Sequence, residues 1–194
     1  MDTTHRQDEE DLQVLNTVIN GDMIAFERLY QLYERRVYHY VYTLVHDPAV
    51  AEEVLVDTMT AVWRGAGSFA HTSRVSTWIF GIARHKALDA LRRSTRNQQH
   101  VSLDQAPDLP YRGDCAEDQV HCTQVTVLIK HALALLSKEH QEVLRLTYYE
   151  ELPYQEVAIL LSIPTNTVKS RVFYAKQQLK KHLERLGQRE PYKW

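Results

Sequence analysis

"YQEVAILLSIPTNTVKSRVFYAKQQLKK", Tyr154 to Lys181, decides how the rest of the chain is read. It opens as an amphipathic helix, breaks at Ser162-Ile163-Pro164, and resumes as a second helix rich in cations. Val157, Leu160 and Leu161 give the first helix an inner face, and Ala158 is small where two helix backbones must approach. A residue that precedes proline is pushed out of the helical region, so Ile163-Pro164 ends that helix. Thr165, Asn166 or Thr167 can cap the second helix. On it Val168, Val172, Ala175 and Leu179 recur at helical steps and form one buried stripe. Lys169, Ser170, Phe173, Tyr174, Lys176 and Gln177 face away from that stripe, with Arg171 at its margin. Two helices, a tight turn and a packed inner face are the requirements of a helix-turn-helix. The outer face offers cations for phosphates and hydrogen-bonding groups for base edges in a major groove. Spacing alone also admits an ordinary helical hairpin with a solvated cationic face.

Working outward, the 194 residues leave room for one medium domain or two small ones. Hydrophobic content of 44% with 25% charged residues belongs to a soluble globular chain, and 6 Gly with 6 Pro favours long helices over many turns. No apolar run approaches the roughly 18 residues of a membrane span. The opening "MDTTHRQDEEDL" is too acidic for a signal peptide, and two cysteines make no disulfide framework, so a cytoplasmic protein is expected. The net charge of -2 conceals an alternation. Residues 1–60 hold 4 basic and 12 acidic side chains, and residues 61–100 hold 7 and 1. Residues 101–127 hold 1 and 5, and residues 128–194 hold 11 and 7. Two separate basic blocks point to two contacts with a polyanion.

The helical period places an all-α fold on this alternation. Phe26, Leu29, Tyr30, Tyr33, Val37, Tyr40, Val41 and Leu44 recur at steps of three and four from Asp22 onward. Asp47 caps a further helix, with Pro48 in its first turn, running to about Trp63. "GAGSFAHTSRVS" reads as a loop, and a long helix follows from near Ser76 to Arg93 or slightly beyond. Residues before Leu12 show no strong apolar period. Residues 97–120, with "DQAPDLPYRGDCAED", read as an extended acidic linker. Helical pattern returns at Val125, and Ser137 can cap the helix of "KEHQEVL". The expected organisation is an N-terminal helical domain at 1–96, a flexible acidic linker at 97–122, and a C-terminal helix-turn-helix domain at 123–194.

Three stretches in this order carry a family resemblance. "AEEVLVDTMTAVW" is similar to the polymerase-binding helix of the extracytoplasmic-function branch of the sigma-70 family. "STWIFGIARHKALDALRR" resembles its promoter-melting helix, and "LPYQEVAILLSIPTNTVKSRVFYAKQQLKK" its C-terminal helix-turn-helix. The resemblance implies a dissociable subunit of bacterial RNA polymerase that directs the core enzyme to promoters. It implies that Thr167, Lys169, Ser170, Arg171, Phe173, Tyr174 and Lys176 read the minus-thirty-five element as duplex. The melted minus-ten strand would fall to the loop and helix carrying Phe69, Ser73, Arg74, Ser76, Trp78, Arg84, His85, Arg92 and Arg93. A single strand wants a cationic groove beside aromatic or pocketed positions, which this segment offers. Core packing is the better account of Trp78, flanked by Ile79, Phe80 and Ile82. The polymerase contact would use Glu53, Val56, Asp57 and Thr60. Expected partners are core polymerase, promoter DNA and an anti-sigma factor, and the acidic linker would run in the polymerase's RNA path.

The sequence departs from the family at Val56-Asp57, where Gln then Glu is usual, at Asn166 for a common glycine, at Tyr174 for a common Arg, and at Pro153 for a Ser cap. The alternative function is a helix-turn-helix regulator whose N-terminal half senses a ligand or dimerises. Cys115, His121 and Cys122 lack a fourth nearby ligand, so no metal is expected. No nucleophile–base pair or phosphate-binding glycine loop appears, so neither an enzyme nor a cofactor is expected.

Overall fold

The computed structural model describes residues 2–98 and 124–189, and these form eight α-helices with no strand among the described residues. The N-terminal domain contains α1 (Asp2–Ile19), α2 (Met23–Val45), α3 (Pro48–Gly65) and α4 (Val75–Gln98). The C-terminal domain contains α5 (Gln124–Ala134), α6 (Lys138–Leu144), α7 (Tyr154–Leu161) and α8 (Thr165–Arg189), with a π-helical turn at Arg145–Tyr149 after α6. Most of the expected linker, with Cys115, His121 and Cys122, lies outside the described residues.

Local chemistry sets the helix starts. The Asp22 carboxylate accepts from the Ile24 and Ala25 N–H groups, and Asp47 accepts from Ala49 and Val50 with Pro48 in the first turn. Each such cap is worth about 1 kcal/mol. Ser137 caps α6 by accepting from the His140 N–H at 3.4 Å. Pro153 stands at the cap of α7 and supplies no side-chain acceptor. Helix α7 stops because Ser162 takes a left-handed conformation at φ 55°, which lets the Ile163 N–H reach the Ala158 carbonyl at 3.0 Å. This is the usual way a helix end satisfies its last carbonyls, here without glycine. Helix α8 already includes Thr165, so Thr165, Asn166 and Thr167 lie in its first turn. The expectation that one of them caps it is corrected: the cap position falls on Pro164, whose carbonyl accepts from the Thr167 and Val168 N–H groups.

Helix α1 is the element the apolar period did not announce. Val14, Leu15 and Val18 bury its second half, while its first half carries mostly polar side chains. Asp11 is nonetheless buried, and it accepts a hydrogen bond from the Tyr33 hydroxyl of α2. Burial, and then the Asp11 charge, push the Tyr33 hydroxyl far above its ordinary pKa. Tyr33, Tyr40 and Phe80 are fully buried where α2 crosses α4, with Phe80 edge-on to both tyrosines at 6.5 and 5.3 Å. Such rings dominate a small core, since each removes 150–250 Å² from water. Trp78 is half-buried against Phe69 at 5.3 Å between ring centroids, as core packing requires.

The C-terminal core is built from Val143, Leu146, Val157, Leu160, Val168, Val172 and Ala175. The two domains also touch each other: α2 packs on α6, and α4 on α7. That contact places charged groups of one domain inside the other's surface.

Candidate nucleic-acid interface

Helix α8 separates its two faces cleanly. Val168, Val172 and Ala175 are buried and Leu179 half-buried, whereas Lys169, Ser170, Phe173, Tyr174, Lys176 and Gln177 are exposed. Arg171 and Thr167 sit at the margin. Phe173 and Tyr174 pack edge to face at 5.5 Å while keeping 57% and 56% of their surface in water. They form an exposed aromatic pair on a cationic helix. Tyr148 and Tyr149, in the π-helical turn, are also largely exposed. Lys176 Nζ lies 4.6 Å from the centre of the Tyr148 ring, and a hydrogen bond with the Tyr148 hydroxyl holds the ammonium pKa up. Sequence reasoning missed Tyr148, because it lies outside the helix-turn-helix and reaches α8 only through the fold.

Helix α3 presents Glu53, Val56, Asp57 and Thr60 on one exposed face, at the three- and four-residue steps of a single helical stripe. Val56 keeps 57% of its surface in water. The opposite side of α3 buries Val54, Leu55, Met59 and Val62. Two cations of α4 reach toward this face: Lys86 lies 3.7 Å from Asp57, and Arg93 lies 3.8 Å from Glu53.

The segment expected to capture a single strand is split by burial. Phe69 and Ser76 are buried, Ser73 and Trp78 half-buried, and His85, Arg92 and Arg93 exposed. His85 and Arg92 both face Asp89, at 3.4 and 2.9 Å. Arg74 and Arg84 are engaged by the other domain. Arg84 Nε donates to Glu142 Oε1 at 3.0 Å, and the Tyr40 hydroxyl donates to the same oxygen at 2.9 Å. Arg74 Nε lies 2.9 Å from Asp8 and 3.5 Å from Glu156, whose other oxygen accepts from Thr77 Oγ1. A third pair joins Arg36 Nε to Glu150 Oε2 at 2.9 Å. Burial lowers the pKa of the Arg36 guanidinium, but Tyr33 and Glu150 outweigh that and hold it raised. Glu142 and Glu150 are buried carboxylates. Their only sequence signal is an acidic residue interrupting apolar register: Glu142 lies beside Val143 and one turn before Leu146.

A helix-turn-helix whose second helix turns cations and aromatics to water, joined to a helical domain with a second cationic helix, is the architecture of a nucleic-acid-binding protein. Its sequence relatives make this specific. Residues 29–97 match Sigma-70 region 2 and residues 132–181 match Sigma-70 region 4. The ECF RNA polymerase sigma factor SigL of Mycobacterium tuberculosis is 32% identical over 160 residues, covering 82% of this chain and 89% of SigL. The ECF RNA polymerase sigma factor RpoE of Cereibacter sphaeroides is 29% identical over 184 residues, covering 93% of this chain and 99% of RpoE. The fold is shared with the sigma factor RpoE from Bartonella quintana, solved in complex with the anti-sigma factor NepR. That match has a TM-score of 0.63 and 23% identity over 82% of this chain and 96% of that one. The chain belongs to the ECF branch of the sigma-70 RNA polymerase sigma factors. Its N-terminal half is therefore a region 2 module, not the sensing or dimerisation domain of a helix-turn-helix regulator.

Proposed function

We propose that this chain binds bacterial core RNA polymerase through the Glu53, Val56, Asp57 and Thr60 face of α3 and carries it to promoters read at two elements. In this reading α8 enters the major groove of the minus-thirty-five duplex. Thr167, Lys169, Ser170, Arg171 and Lys176 meet phosphates and base edges, and Phe173 and Tyr174 meet thymine methyls. The N-terminal domain, taken as 1–96, captures the melted minus-ten strand along Phe69, Ser73, Arg74, Ser76, Trp78, Arg84, His85, Arg92 and Arg93. The linker at 97–122 spans the two, and the C-terminal domain is taken as 123–194.

The observation that carries the reading is α8, whose apolar stripe is buried while two aromatics and several cations of its other face stay in water. A helix presenting Lys169, Ser170 and Lys176 outward is equipped for groove contacts. The reading makes the protein a non-enzymatic specificity subunit with no cofactor, working in the cytoplasm. No helix among the described residues is long and apolar enough to cross a membrane. An anti-sigma factor is a further expected partner, supported by the complex in which the Bartonella relative was solved.

The decisive experiment is transcription in vitro with core polymerase, with and without this chain, on a genomic promoter library. Transcripts that start at defined sites only when the chain is present are the expected result. Absence of any such transcript, or failure to co-elute with core polymerase, would count against the whole reading.

A further inference from the structure

Three ion pairs join the two domains beside the apolar contact of α2 with α6 and of α4 with α7. Glu142, Glu150 and Glu156 of the C-terminal domain meet Arg84, Arg36 and Arg74 of the N-terminal domain at 3.0, 2.9 and 3.5 Å. These arginines lie along one surface. Arg74 stands just before α4, and Thr77, Phe80 and Arg84 follow it at helical steps on a single face. Arg36 reaches that face from α2, with its guanidinium 5.6 Å from the centre of the Phe80 ring. Arg36, Arg74 and Ser76 line one cleft of about 360 Å³ together with Asp8, Asp11, Glu150 and Glu151, and Arg74 is shared between Glu156 and, at 2.9 Å, Asp8 of its own domain. At 1.5 Å rise per residue, Arg74 and Arg84 are about 15 Å apart along the helix axis. A nucleic-acid strand in duplex-like geometry carries a phosphate about every 3.4 Å of axis, so the face spans several of them.

Ion pairs are an unusual way to hold two domains together. Taking carboxylates and guanidinium groups out of water costs several kcal/mol per ion, and an apolar contact of the same size would often hold more tightly. The pairs have one property an apolar contact lacks: a second polyanion can displace them. A phosphate offers Arg the same planar, charge-assisted hydrogen bonds that a carboxylate does. The carboxylates it would displace return to water without penalty.

We propose that Glu142, Glu150 and Glu156 stand in for strand phosphates on a track formed by Arg36, Arg84 and Arg74, so that the closed chain is self-blocked and strand capture and domain opening are one event. The proposal rests on the reading of the N-terminal domain as a single-strand binder, and it adds Arg36 to the strand-binding residues. Arg36 lies on α2, far in sequence from the promoter-melting segment, and only the fold brings it to Arg74 and Arg84. The ligand class is a single-stranded nucleic-acid backbone, held without base readout by these three groups.

The test uses the full chain without polymerase and a labelled single-stranded DNA of mixed sequence, about 12 nucleotides long. The variant Glu142→Gln/Glu150→Gln/Glu156→Gln keeps side-chain shape and removes the three charges. It is expected to bind the strand about tenfold or more tightly than wild type at low salt, and to show a larger radius of gyration in solution scattering. Adding Arg36→Ala to the triple variant should abolish most of that gain and lower the logarithmic salt slope by roughly 0.7. Coupling between two equilibria is reciprocal, so saturating strand should also expand the wild-type chain. Circular dichroism checks that the triple variant remains folded, and if it does not, the wild-type scattering decides alone. A triple variant that opens without binding strand more tightly, a gain that survives Arg36→Ala, or a wild type that binds strand while staying compact would each overturn the proposal. Initiation by the wild type with core polymerase reports separately on the sigma reading, which stands or falls without these three outcomes.

Discussion

The cationic helices α4 and α8 sit in opposite electrostatic circumstances. Arg74, Arg84, Lys86, Arg92 and Arg93, on α4 and just before it, each face a carboxylate within 4 Å. On α8, Lys169 and Lys176 form no ion pair among the described residues, and the Lys180–Glu184 pair lies further along the helix. A phosphate approaching Lys169 or Lys176 meets no carboxylate ion pair among the described residues, whereas on α4 it must first compete with the protein's own acids. The difference fits the two substrates. Duplex is present in every promoter before melting, and single strand exists only after it. In the proposed reading, a strand-binding surface on α4 that is occupied at rest would resist stray single strands and RNA, while α8 would stay ready for duplex.

Four predictions sharpen or break this comparison. The largest effect belongs to Arg84→Ala, which leaves the buried Glu142 carboxylate with the Tyr40 hydroxyl as its one side-chain partner among the described residues. Stranding one member of a buried pair costs 3–5 kcal/mol, and Arg84, which keeps 25% of its side chain in water, should fall near about 3 kcal/mol. Denaturant unfolding of the full chain measures it, and a change within error would mean that the domains are not held by this pair.

Next comes the open surface. Lys169→Ala and Phe173→Ala should hardly alter stability, because both side chains are exposed. Each should weaken binding to the upstream promoter duplex, by about 1–3 kcal/mol for a base contact, or by a salt slope smaller by roughly 0.9 for a phosphate contact. Unchanged duplex affinity across salt concentrations for both variants would put the groove contact on another surface.

A smaller effect is expected at Tyr148. Tyr148→Leu removes the ring and the hydroxyl that hold Lys176 in place. An exposed cation–π contact contributes about 0.5–1 kcal/mol, so a loss of about two- to five-fold in duplex affinity is expected from titration. A Tyr148→Leu chain as tight as wild type would show that Lys176 needs no such support.

The smallest is a pH effect at His46, the left-handed C-cap of α2. Its pKa is lowered from 6.5 by burial and then by Lys138 of the C-terminal domain. The folded chain therefore resists a proton that the unfolded chain accepts. Stability from this residue is intact above pH 6.5 and falls as pH drops below it toward the folded pKa. His46→Asn, which tolerates the left-handed backbone, should flatten the decline in melting temperature between pH 7.5 and 5.5. An unchanged decline would assign it to other groups.

The sequence made α2, α3, α4, α7 and α8 legible because each has an apolar stripe at helical period and, in two cases, an Asp cap that the fold uses as expected. Helix α1 was hidden because its buried residues Val14, Leu15 and Val18 lie only in its second half. The two faces of α8 and the apolar side of α3 followed from the same periodicity, whereas the Glu53, Val56, Asp57 and Thr60 face came from the family resemblance. The domain contact was illegible for a different reason. Arg36 and Glu150 are 114 residues apart, and neither belongs to a local pattern that predicts the other. Periodicity shows which side of a helix turns inward, but not which distant charge awaits it there.

The π-helical turn at Arg145–Tyr149 gives the chain a phase shift. Such a turn is an α-helix that has absorbed one additional residue, and everything beyond it is rotated by about 100° relative to a regular continuation. Here that rotation sends Glu150 toward Arg36 while Tyr148 lies under Lys176. Tyr148 and Glu150, two residues apart, thus serve both the interdomain contact and the cationic face of α8. Removing one residue from the turn would restore regular winding and spoil both at once. Insertions and deletions should therefore be far less tolerated at Arg145–Tyr149 than at either end of α8.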